Sequence, residues 1–170
     1  MEENPMRQIR IEKVTLNIGC GPDQQKVEKA KKLLEYLTKG KAIMTPSKKR
    51  STFGVPKGKP IGAAITLRKQ KAYDFLKKAL AAVDNKIKSS QFDKDGNFSI
   101  GIKEYIDLPG VKYQHEIGML GTDVSVTLER PGYRIKRRRI QNRKISKKHK
   151  VNKEEVIEWL KKNFGVEVVE

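Results

Sequence analysis

The chain is poor in several features that mark whole classes of protein. Cys20 is the only cysteine among its 170 residues, which excludes an internal disulfide framework and is typical of a reducing compartment. No stretch approaches the roughly 20 consecutive apolar residues of a membrane-spanning helix, and no apolar signal segment follows Met1. We therefore expect a cytoplasmic protein with no membrane partner.

Residues that carry catalytic or metal chemistry are also scarce. His115 and His149 have no paired cysteine or carboxylate cluster at metal-ligand spacing, so no metal and no cofactor are expected. The turn-like Gly19–Gly21 stretch resembles the start of a dinucleotide-binding loop, but Gln24 stands where the third glycine belongs. Because no catalytic set converges, we predict that the protein is not an enzyme.

Positive charge is what the chain has in excess. Lys and Arg number 38 against 20 Asp and Glu, a formal net charge of +18. Ten of the eighteen residues from Tyr133 to Lys150 are Lys or Arg, and the remaining 152 residues still carry +8. So dense a run repels itself and is expected to become ordered on an anionic partner, for which nucleic acid is the best candidate. The alternative, a solvated tail or localisation signal, leaves the remaining charge unexplained.

Period-two alternation of apolar residues predicts four strands. A shorter run, Lys41 to Thr45, is a candidate fifth strand, and Asp95-Gly96 is predicted to form a turn. The four alternating segments are 14–18, 61–68, 97–102 and 123–128.

Helical spacing predicts three helices between and after these strands. The first has Pro22 in its first turn and stops at Gly40. The second carries its apolar residues from Ala72 to Val83. The third is capped by Asn152, with a capping-box Glu155 three residues later, and ends at Gly165.

This order of elements predicts an α+β fold in which an antiparallel sheet carries its helices on one face and binds RNA with the other. We expect residues 1–132 to form an α+β RNA-binding domain. Residues 133–170 are expected to form a basic extension with a C-terminal helix, docked on the same domain.

The sheet face turned away from the helices is predicted to be short and polar. Such a surface lets a bulky backbone approach and offers hydroxyls and amides to phosphates, 2′-hydroxyls and base edges. The alternative is an ordinary solvated sheet face, and the excess positive charge favours binding. Aromatic residues are only 6% of the chain, and Phe98 falls on the apolar face, so a folded RNA is expected rather than an unstacked strand. The predicted RNA-binding residues are Thr15, Asn17, Thr66, Arg68, Asn97, Ser99, Ser125 and Thr127.

Two basic segments complete the predicted surface. The cations of the 133–150 segment are expected to bind phosphates irrespective of RNA sequence. They are Arg134, Lys136, Arg137, Arg138, Arg139, Arg143, Lys144, Lys147 and Lys148. The second segment is the loop 48–59, which connects two strands and contains basic residues and glycines. A long loop of this kind is typical of one that extends from the domain to contact a partner.

Six motifs stand in the order and spacing of one family. They are VTLNIG (14–19), KGKPIG with TLR (57–62 and 66–68), DGNFSIGI (95–102), LPGVKY (108–113), ERPGYR (129–134) and KKHKVNKEE (147–155). From about Asn4 onward the chain resembles the large-subunit ribosomal protein five family in its archaeal form, a family that binds 5S rRNA.

The resemblance implies a structural constituent of the large ribosomal subunit whose sheet face holds a loop of 5S rRNA in the central protuberance. It matches Asn17, Thr66 and Arg68 to family positions that contact 5S rRNA. It implies further partners: large-subunit rRNA, the peptidyl-site tRNA, and neighbouring ribosomal proteins that include a small-subunit head protein across a bridge. The residues matched to the tRNA-contacting loop are Arg50, Ser51, Thr52, Phe53, Gly54, Lys57, Gly58 and Lys59.

Two other functions fit parts of the sequence. A free-standing binder of structured messenger RNA would have the same charge and sheet, and co-sedimentation with ribosomes separates it from a ribosomal protein. An RNA-modifying or nucleotide-using enzyme would need a convergent catalytic set, which the sequence does not show.

Overall fold

The computed structural model describes residues 4–50 and 54–169 of the chain. Strands and helices alternate along most of this part. Its strands are β1 Arg10–Gly19, β2 Ile43–Pro46, β3 Pro60–Leu67, β4 Lys86–Lys88, β5 Phe98–Ile102, β6 Thr122–Glu129 and β7 Glu167–Val169. Its α-helices are α1 Gln24–Thr38, α2 Gln70–Ala81, α3 Arg134–Arg137 and α4 Lys153–Phe164. None of these helices is long and apolar enough to span a membrane.

Five of the strands form one sheet in the order β2-β3-β1-β6-β5. Within it β2 and β3 run antiparallel, with Ile43 opposite Ala64 and Met44 opposite Ala63. The predicted α+β fold with an antiparallel sheet is confirmed. A second sheet was not predicted: β4 and β7 pair in parallel, with Ile87 opposite Val168. Each of its strands has three residues, too few for alternation to reveal.

Backbone contacts divide the chain into two compact units. The first unit comprises Met1–Val14, Arg68–Ser99 and Val126–Glu170. The second unit comprises Thr15–Leu67 and Ile100–Ser125. The predicted division at residue 132 stays a prediction, although the basic segment 133–150 and α4 share a unit with parts of the preceding chain.

In the second unit, α1 packs on β3 and β2. Asp23 caps the helix by accepting hydrogen bonds from the N–H groups of Gln25 (3.0 Å) and Lys26 (3.3 Å). The face toward the sheet is fully buried, because its apolar residues recur at helical spacing. These residues are Val27, Ala30, Leu33 and Leu34.

The predicted ends of α1 are wrong by one or two positions. Pro22 precedes the cap rather than lying in the first turn. At the other end Lys39 adopts the left-handed conformation (φ 49°) and donates from its N–H to the Glu35 carbonyl, so the helix stops before Gly40. A Cβ at Gly40 would lie 3.0 Å from Ile65 Cδ1, a tight contact that requires the Ile65 side chain to shift.

In the first unit, α4 has the predicted capping box between Asn152 and Glu155. Gly165 ends the helix with φ 64°, and its N–H donates to the Lys161 carbonyl at 3.1 Å, as predicted. The ring of Phe164 lies 5.1 Å from that of Tyr73 on α2, which joins the two helices through an aromatic pair. The second predicted helix ends at Ala81, two residues before Val83.

The predicted turn at Asp95-Gly96 is confirmed. Gly96 has φ 77° and donates from its N–H to the Asp93 carbonyl at 3.0 Å. A Cβ at Gly96 would lie 2.8 Å from Val156 Cγ2 and 2.9 Å from Val151 Cγ1, so only glycine lets the turn approach the start of α4.

Candidate nucleic-acid interface

The strand residues of the second unit show the predicted alternation. Asn17 and Thr66 are exposed, while the flanking Leu16, Ile18 and Ile65 are buried. Ser125 is also exposed and Thr15 is half-buried. Because both side chains are exposed, neither Asn17 nor Thr66 lies beneath α1, which packs on β3 and β2. The second unit therefore presents a short, polar strand surface to solvent.

The first unit carries the other four predicted strand residues, and two of them already bond within the protein. Asn97 accepts a hydrogen bond from the Leu128 N–H through Oδ1 at 3.3 Å. Arg68 donates through Nη1 to the Glu12 carbonyl at 3.4 Å, and its Nη1 lies 3.8 Å from Glu12 Oε1. Ser99 is exposed and Thr127 half-buried, so both have hydroxyls near the surface.

The basic loop has a closed base. The Ser47 N–H donates to the Lys59 carbonyl at 2.8 Å, and the Gly58 N–H donates to the Ser47 carbonyl at 2.9 Å. Gly58 has φ 89°, which fits a tight return of the chain. Val55 is buried at 7% exposure and anchors the loop, whereas Lys57 is exposed.

Three of the remaining predicted loop residues lie within the described part of the chain, and three lie outside it. Arg50 and Gly54 are exposed, and Lys59 is half-buried. Ser51, Thr52 and Phe53 lie outside the described residues, so their predicted tRNA contact stays a prediction.

The basic segment 133–150 is folded back on itself. It contains α3 and a 3₁₀ turn at Lys147–His149. The Asn142 side-chain amide donates to the Lys136 carbonyl at 2.7 Å, and Arg138 Nε donates to the Gln141 carbonyl at 2.8 Å. Its predicted phosphate-binding cations lie at the surface, with Arg138 half-buried and the others exposed.

Carboxylates of the first unit supply part of the counter-charge for this segment. The Arg137 guanidinium donates through Nη1 to Glu12 and through Nη2 to Glu129. The two carboxylates are 12% and 29% exposed, so water screens these pairs less than a fully exposed pair. Arg137, predicted to bind phosphate, is thus already engaged in holding the segment to β1 and β6.

A second ion pair and a tyrosine fix the end of the segment. Lys150 donates to Asp95 Oδ1 at 2.8 Å, and this hydrogen bond is the main reason that the pKa of Asp95 is lowered and that of Lys150 raised. The Tyr133 hydroxyl accepts from the Val151 N–H at 2.9 Å and donates to the His149 carbonyl at 3.4 Å.

The residues considered for metal or nucleophilic chemistry have ordinary surroundings. His149 Nε2 lies 2.9 Å from the Pro131 carbonyl oxygen, and His115 is exposed. Burial raises the pKa of the Cys20 thiol, which disfavours the reactive thiolate. Within residues 4–50 and 54–169, no group of three potential metal ligands comes together.

Comparison with known proteins identifies the family. The family model described as "Ribosomal protein L5" matches residues 4–55, and that described as "ribosomal L5P family C-terminus" matches residues 60–159. The chain belongs to the ribosomal protein L5 family. As a member it is a structural constituent of the large ribosomal subunit and not an enzyme, as predicted. Family membership also confirms the predicted location of the chain, in the cytoplasm as part of the ribosome.

Archaeal relatives of the L5 family match the chain over nearly its whole length. The large ribosomal subunit protein uL5 of Nanoarchaeum equitans is 51% identical, covering 98% of this chain and 99% of the relative. That of Sulfurisphaera tokodaii is also 51% identical, over 98% and 96%. That of Methanosphaera stadtmanae is 46% identical, over 97% and 99%. The predicted resemblance to an archaeal L5 protein is confirmed.

Sequence reasoning missed the residues that hold this L5-family protein's basic segment in place. Arg130 is buried at 5% exposure and donates to Glu155 Oε2 (2.7 Å) and to the Lys150 carbonyl (3.2 Å). The available signal was its position: Arg130 continues the period-two series of Val124, Val126 and Leu128, whose side chains are buried. The Glu12–Arg137 contact joins residues 125 positions apart, and no local pattern indicates it.

Proposed function

We propose that this L5-family protein binds 5S rRNA in the central protuberance of the large subunit, and that its exposed strand residues make the fitting contacts. The observation that carries this proposal is the strand surface of the second unit, where short polar residues alternate with a buried apolar core. Small side chains allow an RNA backbone to approach, and their hydroxyls and amides can bond to 2′-hydroxyls and phosphates.

The exposed cations of the basic segment would supply the sequence-independent part of the affinity. Each phosphate that they neutralise releases counterions, so the logarithm of the binding constant should fall with the logarithm of salt by about 0.7 to 0.9 per phosphate. A binding constant that hardly changes with salt would contradict this part of the proposal.

The double variant Asn17→Ala/Thr66→Ala tests the strand contacts. Two lost hydrogen-bonding groups, at about 1 kcal/mol each, should raise the Kd for purified 5S rRNA by roughly thirtyfold. The matched control is Gln24→Ala/Gln25→Ala, which removes two exposed amides from the first turn of α1. Filter-binding titrations with equal Kd values for both variants would reject this surface as the binding face.

We also propose that the loop 48–59 reaches toward the tRNA in the peptidyl site, and that another surface contributes to a bridge with a small-subunit head protein. The exposed Lys57 and the closed base of the loop support a reaching element. Lys57→Ala should weaken crosslinking of peptidyl-site tRNA to the protein on assembled ribosomes and leave 5S rRNA binding unchanged. Undiminished crosslinking would contradict the tRNA contact.

A further inference from the structure

A cavity of about 600 Å³ lies in the first unit, between the strands β1 and β6 and the basic segment. All of its lining residues belong to the first unit. Two of them, Asn97 and Thr127, are predicted RNA-binding residues of the strands, and Lys136, Lys144 and Lys147 are predicted phosphate-binding cations. The cavity therefore brings the two predicted kinds of RNA contact into one place.

The charge of this cavity favours an anion. Six cationic and two acidic side chains line it. Both carboxylates already have cationic partners: Glu12 bonds to Arg137, and Asp95 bonds to Lys150 at 2.8 Å. The surplus of positive charge is carried by lysines, whose flexible stems can follow a phosphate as a point charge.

The cavity also has a part that a phosphate alone would not use. The half-buried Ile145 and Tyr133 contribute apolar and aromatic residues to the lining, whereas Leu128 borders the cavity but is only 2% exposed. Asn97 uses its amide oxygen for the Leu128 N–H, and its amide nitrogen carries two further donors. Apolar walls with a few polar groups and cations are the composition that receives a base with its phosphate.

We propose that this cavity takes one unpaired nucleotide that is turned out of the folded RNA. This inference rests on the proposed function and makes it more specific. The base lies against Ile145 and Tyr133, and its phosphate lies toward the lysines. A volume of about 600 Å³ is within the range of small-ligand pockets, roughly 300–1,000 Å³, and is ample for one nucleotide.

The substitution Ile145→Trp tests the proposal by filling the cavity. Ile145 is half-buried in the cavity wall, so an indole there occupies the place of the base. The Kd for 5S rRNA should rise about tenfold, which is the usual size of one lost base contact. The matched control is Ile140→Trp, which adds the same indole to the same segment at a position that is 76% exposed and outside the cavity. Its Kd should stay within about twofold of the original chain.

The outcomes separate this inference from the proposed function. Equal Kd values for both tryptophan variants overturn the nucleotide pocket while leaving 5S rRNA binding in place. Failure of the unsubstituted protein to bind 5S rRNA overturns both. Thermal unfolding of the two variants shows whether Ile145→Trp is folded.

A second measurement needs no substitution. The Ile145 methyl resonances of the unsubstituted protein should shift on addition of millimolar AMP, GMP, CMP or UMP, and should shift much less with inorganic phosphate. Equal shifts with phosphate and with all four nucleotides, or no shift with any, overturn the assignment of a base to the cavity.

Discussion

In the second unit, Asn17, Thr66 and Ser125 are short side chains whose direction is set by strand alternation over a buried core. In the basic segment 133–150, the cations are long side chains, and their backbone is held by ion pairs and by Tyr133. A strand side chain loses little conformational entropy when RNA binds, whereas each lysine or arginine loses up to about 2 kcal/mol. The first surface is thus suited to fit, and the second to electrostatic attraction.

The positive charge of a segment and its availability to RNA are separate properties. Arg137 belongs to the basic segment by composition, yet it bonds to Glu12 and Glu129. Arg143 and Lys144 belong to the same segment and are exposed. Counting cations alone therefore overstates the number of phosphates that the segment can neutralise.

The largest effect is expected from a bulky residue on the strand surface. Thr66→Trp should raise the Kd for 5S rRNA about a hundredfold, equal to about 2.7 kcal/mol, because the indole keeps the RNA backbone from approaching. Gln24→Trp on the exposed first turn of α1 should have no such effect. Binding titrations at constant salt check both. A Thr66→Trp protein that is folded and binds normally would show that this surface requires no close fit.

The next effect concerns the residue that fixes the end of the basic segment. Arg130→Met should lower the free energy of unfolding by about 2 kcal/mol, because the Lys150 carbonyl and Glu155 lose a buried partner. This loss of stability is smaller than for a wholly buried ion pair, because the Glu155 side chain is 41% exposed and can be hydrated when its arginine partner is removed. Urea unfolding measures the change. Arg134→Met, an exposed position, should change the free energy by less than about 0.5 kcal/mol.

A smaller effect separates a positioning arginine from a phosphate-binding one. Arg137→Ala should lower stability by about 1 kcal/mol and weaken RNA binding, yet leave the salt slope nearly unchanged. Arg143→Ala should instead reduce the slope by about 0.7 to 0.9 with little change in stability. Kd values measured across a range of salt concentrations give both slopes. The comparison fails if Arg137→Ala lowers the slope as much as Arg143→Ala.

Much of the fold and part of the interface follow from sequence periodicity. Successive side chains of a strand point to opposite sides, so alternation around Asn17 and Thr66 was enough to predict their exposure. The capping box at Asn152 and the stop at Gly165 are local signals as well. The pairing of Glu12 with Arg137 is not, because sequence periodicity carries no information about contacts between distant segments. The left-handed Lys39 was also missed, since a neighbouring glycine is the commoner helix stop.

The smallest predicted effect is the pH dependence of the pair that closes the basic segment. The pKa of Asp95 is lowered in the folded protein, mainly by its hydrogen bond from Lys150, so its contribution to stability is present above the unfolded pKa and is lost as pH falls through the folded value. Asp95→Asn should therefore lower stability slightly at neutral pH, and its difference from the original chain should disappear as pH falls below about 4. At the alkaline end, the raised pKa of Lys150 means that its contribution to stability is fully present below the unfolded pKa and is lost as pH rises through the folded pKa.

Thermal unfolding between pH 3 and pH 7 measures the acid part of this dependence, with Asp93→Asn as the neighbouring control. If both variants follow the same acid curve as the original chain, the Asp95–Lys150 pair adds nothing to the stability of the segment's end, which Tyr133 and Arg130 then hold without it.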